Sequence, residues 1–133
     1  MKFFIICVFL CLIANNLAKK HTENMTTATE ECRREENISE EEYNKVIDHH
    51  FDNPTSEMKC FTACVAEKIG ILKDNIVQED VVLEIAREVN KVKMTNIILQ
   101  KCKQIQSEDR CDMAFRFHVC VQNTKKEILE AEK

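Results

Sequence analysis

Cys32, Cys60, Cys64, Cys102, Cys111 and Cys120 are the side chains in this sequence whose type and spacing could do chemistry. Thiols in such number either hold metal in a reducing compartment or pair as disulfides in an oxidising one. The segment ahead of them decides between the two. Residues 1–18 start with Lys2, run apolar from Phe3 to Ala14 and close on Ala18 before Lys19 and Lys20, the layout of a secretory signal peptide. Cleavage after Ala18 removes Cys7 and Cys11 and leaves residues 19–133 as one secreted, extracellular domain with an even set of cysteines. Disulfides then consume every remaining thiol, so no cysteine is left as a nucleophile or metal ligand. No Ser/His/Asp grouping or metal spacing stands out. The chain is therefore expected to be no enzyme, with no catalytic residue, no cofactor and no metal.

His49, His50 and His118 titrate near neutrality in their ordinary state and invite a pH switch. A simpler reading makes His49 and His50 a solvated helix end beside Asp48 and Asp52, and His118 a polar step in the last helix. Asn24-Met25-Thr26 and Asn37-Ile38-Ser39 are sequons, which makes Asn24 and Asn37 candidate glycosylation sites. The formal charge of −4 and the lack of a basic stripe argue against nucleic acid. No second apolar run of about 20 residues follows the first, so membrane insertion is not expected.

The elements that must position these residues are helices. One glycine and one proline in 133 residues nearly exclude glycine-rich phosphate loops and hairpin-rich β folds. Thr27 to Glu36 is a polar helix candidate bearing Cys32. Ser39 with Glu42 makes a capping box for a helix whose face carries Tyr43, Val46, Ile47, His50 and Phe51; Asn53-Pro54 ends it. Ser56 is available to cap the next helix, where Met58, Phe61, Val65 and Ile69 recur at helical spacing before Gly70. Gly70 to Val77 reads as a turn. Val82, Ile85, Ala86 and Val89 mark another helix, and Thr95 can cap one carrying Ile98, Cys102 and Ile105. Asp112 to Gln122 alternates apolar and polar as a strand would, yet its turnless surroundings and the spacing of Met113, Phe117, Val121 and Thr124 favour a buried helix. The polar tail from Lys125 to Lys133 extends that helix or frays.

Cys60 and Cys64, four apart on one helix, share a face and should each reach a different helix. Cys111 and Cys120 would lie ~13 Å apart along a common axis, beyond the ~7 Å that a disulfide spans. Ten of the fifteen pairings open to six cysteines survive these two exclusions.

The spacing itself, with 27, 3, 37, 8 and 8 residues between successive cysteines, resembles the six-cysteine signature of the insect odorant-binding proteins, the pheromone-binding and general-odorant-binding family. The stretches Cys60-Phe61-Thr62-Ala63-Cys64, Ile69-Gly70-Ile71-Leu72-Lys73-Asp74 and Asp109-Arg110-Cys111-Asp112-Met113-Ala114 are similar to family positions. Asn75 departs from the glycine many members carry, a change that asparagine's tolerance of left-handed backbone absorbs. The resemblance implies an all-α, compact six-helix domain stapled as Cys32–Cys64, Cys60–Cys111 and Cys102–Cys120 around an internal apolar cavity.

It also implies a function: a carrier of odorants, pheromones or similar small hydrophobic ligands through extracellular fluid toward a membrane odorant receptor. Candidate lining residues are Phe61, Val65, Ile69, Leu72, Val82, Ile85, Val89, Ile98, Phe115, Phe117 and Val119, with the last helix the best placed. A polar C-terminal tail speaks against the acid-driven tail insertion found in some members. The alternatives are a secreted helical interaction protein with a solid core, and a non-olfactory carrier of salivary, venom or seminal type.

Overall fold

A computed structural model of the protein describes residues 24–133. The signal-peptide reading, with Cys7, Cys11 and the cut after Ala18, lies outside the described residues. Helix α1 covers 24–35, and α2 is Glu40–Ile47, α3 Ser56–Lys68, α4 Glu79–Glu88, α5 Val92–Cys102 and α6 Arg110–Ala131. Between α3 and α4 a two-residue pair of strands, β1 (Leu72–Lys73) and β2 (Ile76–Val77), runs antiparallel.

Local chemistry sets most of the helix ends. The Ser39 hydroxyl accepts from the Glu42 amide while the Glu42 carboxylate accepts from the Ser39 amide, closing the capping box on α2. Bonds from Ser39 hold the Glu42 carboxyl below its ordinary range. Thr55, not Ser56, caps α3: its hydroxyl takes the Met58 amide at 3.2 Å, which makes Ser56 the first helical residue. Gly70 follows α3 with φ +84°, the left-handed geometry that suits glycine. The turn expected over Gly70 to Val77 is a hairpin whose two-residue loop, Asp74 and Asn75, has φ of 51° and 63°, as the right-handed twist of a tight hairpin requires. Asn75 Nδ2 also donates to the carbonyls of Ser107 and Glu108, tying the hairpin to the loop before α6.

Two elements differ from their sequence reading. Helix α2 stops at Ile47 and His49 turns left-handed at φ 58°, so His50 and Phe51 belong to the loop rather than to the helix face. Helix α5 begins at Val92, three residues before Thr95, because the Thr95 amide already bonds the Lys91 carbonyl and lies within the first turn. Asp112 to Gln122 is helical, and the tail continues α6 to Ala131.

The core has three parts. Cys32, Ile38, Val46, Met58, Phe61 and Cys64 join α1, α2 and α3. Ala63, Leu72, Met113 and Ala114 join α3 and the hairpin to α6. Ile98, Leu99, Cys102 and Phe117 seal α5 onto α6, with Val82 and Leu83 of α4 packed alongside. One disulfide crosses each junction: Cys32–Cys64 links α1 to α3, Cys60–Cys111 links α3 to α6, and Cys102–Cys120 links α5 to α6. Their Cα separations of 5.7, 4.4 and 5.7 Å suit disulfides. The two cysteines of α3 thus reach different helices, as their shared face demands.

Candidate functional site

Small side chains at Thr62 and Ala66 of α3 and Ala114 of α6 leave space between two helices that bulkier residues would close. The pocket they open measures about 400 Å³, within the range of about 300–1,000 Å³ usual for small-ligand sites. Met25 and Thr29 of α1, Val46 and Ile47 of α2, and Ile71 after α3 complete its walls around Phe61, Val65, Ile69, Phe117 and Val121. Among the described residues no Lys, Arg, Asp or Glu lines it.

Its polar atoms are few, and two are already engaged. The Thr62 hydroxyl donates to the Met58 carbonyl at 3.0 Å and the Thr29 hydroxyl to the Met25 carbonyl at 2.8 Å, both within their own helices. His118 differs. Its Nε2 is buried and finds no hydrogen-bond partner among the described residues. The Phe51 ring stands edge-on to its imidazole at 5.4 Å, and the His49 ring lies 6.0 Å away. Burial first, and the nearby His49 second, push the His118 pKa down to about 4, so the imidazole is neutral at physiological pH. The reading of His118 as a polar step on the last helix is therefore corrected: it is part of the pocket wall.

A second opening, a groove of about 490 Å³, lies beyond Phe51 and is lined by Phe115, Val119, Ile105 and Arg116 among others. Phe51 packs against both Phe115, at 5.7 Å, and His118, so one ring stands between the groove and the pocket.

The candidate lining residues therefore divide. Phe61, Val65, Ile69 and Phe117 meet at the pocket, and Phe115 and Val119 face the groove. Leu72 and Ile98 are buried in packed clusters, and Val82 packs against the α5–α6 cluster. Ile85 is half-buried on α4 and lines neither opening. Val89, expected at the lining, is 59% exposed, because α4 ends at Glu88 and Val89 caps it facing solvent. The residues missed include Val46, Thr62, Ala66, His118 and Val121. A signal for part of this set was present: Ala114, Phe117, His118, Val121 and Gln122 follow the three-and-four spacing of a single helical stripe. The candidate acceptors Asn24 and Asn37 are both exposed, Asn37 at φ 50°.

Fold and site together define a class: a small all-α domain, stapled by three disulfides, with an apolar pocket between helices. A solved structure titled fatty acid binding protein OBP56a, from the oral disk of the blowfly Phormia regina, is 40% identical and superposes with a TM-score of 0.68 over 81% of this chain and 94% of that one. General odorant-binding protein 56a of Drosophila melanogaster is 39% identical over 110 residues, 83% of this chain and 74% of that protein. The odorant-binding protein dmelOBP28a of the same fly, at 22% identity, shares the fold with a TM-score of 0.70 over 83% of this chain and 96% of that one. The PBP/GOBP family pattern matches residues 14–124. The chain belongs to the PBP/GOBP family of insect odorant-binding proteins, a family of small-ligand carriers rather than enzymes.

Proposed function

We propose that the protein is a secreted carrier that takes a small hydrophobic molecule into the pocket between α1, α2, α3 and α6 and moves it through extracellular fluid toward a receptor. The observation that carries this reading is the pocket itself, walled by apolar side chains from four helices, with no charged residue among those described. Burying an alkyl or aromatic ligand there gains roughly 25 cal/mol per Å² of apolar surface removed from water. The disulfides let so small a domain keep such a space open, since a space in a core otherwise costs stability in proportion to its volume.

Odorants, pheromones and similar semiochemicals fit this chemistry. A non-olfactory cargo also has specific support: the blowfly relative is named a fatty acid binding protein and comes from the oral disk.

The chain has no tryptophan, so binding is best read with an apolar, environment-sensitive dye. Saturable binding of phenylnaphthylamine by the oxidised protein, lost on reduction of the disulfides, is the expected result. A folded, oxidised protein that leaves the dye in water refutes the carrier and favours a helical interaction protein with a solid core.

A further inference from the structure

We propose that His118 Nε2 is the polar anchor of the pocket and that the ligand it selects is an alkyl chain ending in a single uncharged oxygen head group. This inference rests on the carrier reading and adds to it the chemical class of the cargo. Four observations support it. Nε2 is a buried hydrogen-bonding atom that no described residue satisfies, a costly arrangement that a ligand oxygen would relieve. His118 stands in the wall of a mainly apolar pocket whose other polar side chains are Thr29, His49, Thr62 and Gln122, so few polar contacts orient the molecule while the rest of it is held by area. The threonine hydroxyls on the same wall are spent on helix carbonyls. Finally, in a neutral imidazole Nε2 accepts from a hydroxyl when the ring proton sits on Nδ1, or donates to a carbonyl when it carries that proton itself; it supplies no charge for a carboxylate.

His49 is the titratable group that faces His118, and its charge opposes an imidazolium there. A carboxylate entering alone would be a buried charge without a cation, which is expensive. A fatty acid must therefore enter with a proton on its own carboxyl oxygen. A fatty alcohol needs none. Both reach the same contact, and their pH dependence distinguishes them.

The test is displacement of phenylnaphthylamine from the oxidised protein by dodecanol and by dodecanoic acid. Dodecanol affinity is expected to be flat between pH about 7 and about 5, while that of dodecanoic acid rises toward acid as one proton is taken up. In His118→Phe, which keeps a ring and removes the nitrogen, dodecanol affinity measured relative to that of the dye is expected to fall about tenfold. Unchanged dodecanol affinity in that variant overturns the anchor, as does a loss that appears in Gln122→Leu instead. Should His118→Phe fail to fold, the imidazole nitrogen NMR shift of the unmodified protein decides: it moves on adding dodecanol if Nε2 is the contact and stays if it is not. Failure of the unmodified protein to bind the dye is a different result, and it refutes the carrier reading beneath.

Discussion

The two sides of α6 are built from the same materials and end differently. Toward α5, Phe117, which also borders the pocket, packs with Ile98, Leu99 and Cys102, and Ile128 and the hairpin's Val77 fill the margins of a closely packed cluster. Toward α3, Ala114, His118 and Val121 meet Thr62, Ala66 and Val65 across a space of about 400 Å³. Each side is crossed by one disulfide. The difference teaches that amphipathic spacing alone does not say whether a helix pair closes. Facing small residues and a histidine whose nitrogen lacks a partner among the described residues mark the side that stays open.

The largest way to break this contrast is to cut the staple on the open side. Cys60→Ser with Cys111→Ser removes the bridge that closes the 51-residue separation, and a loss of about 4 kcal/mol is expected in denaturant unfolding. Removing Cys102–Cys120, with a separation of 18, should cost less, about 3 kcal/mol. The reverse order would show that packing on the solid side depends more on its bridge than chain entropy allows. On that solid side, Leu99→Ala should cost about 3 kcal/mol while leaving dye affinity unchanged, since Leu99 is buried against α6 and away from the pocket. A parallel loss of dye binding would mean that the two sides act as one.

His118 makes a prediction of known sign. Its pKa is lowered from 6.5 to about 4 by folding, so the unfolded chain binds the extra proton in that window. Stability from this group is complete above pH 6.5 and is lost as pH falls toward 4, by up to about 3 kcal/mol. His118→Phe should flatten that part of the acid unfolding curve. The smallest effect belongs to Val89→Ser, which should change stability by no more than about 0.5 kcal/mol and ligand affinity not at all, because Val89 faces solvent.

Much of the fold was legible before any coordinates. Ser39 and Glu42 announce the start of α2, Gly70 the end of α3, and Asp74-Asn75 the tight turn, because each acts through backbone atoms a few residues away. The stripe on α6 was legible as a helix despite its strict alternation. Legibility failed where the partner is distant. It failed too where no side chain marks a helix end: Lys91 offers no cap to announce the start of α5 at Val92, and nothing beside Val89 shows that α4 stops one residue too soon to bury it.

What the sequence determined by itself is the class: an all-α domain whose cysteine spacing and helix pattern place it in its family. Those are local and periodic properties, set by residue type and by hydrogen bonds within a turn or two. Only the tertiary structure decided which apolar residues line a pocket and which fill a core, and only it brought Phe51 and His49 against His118. A side chain's burial and pKa depend on what packs against it from other helices, and that is settled by the fold as a whole.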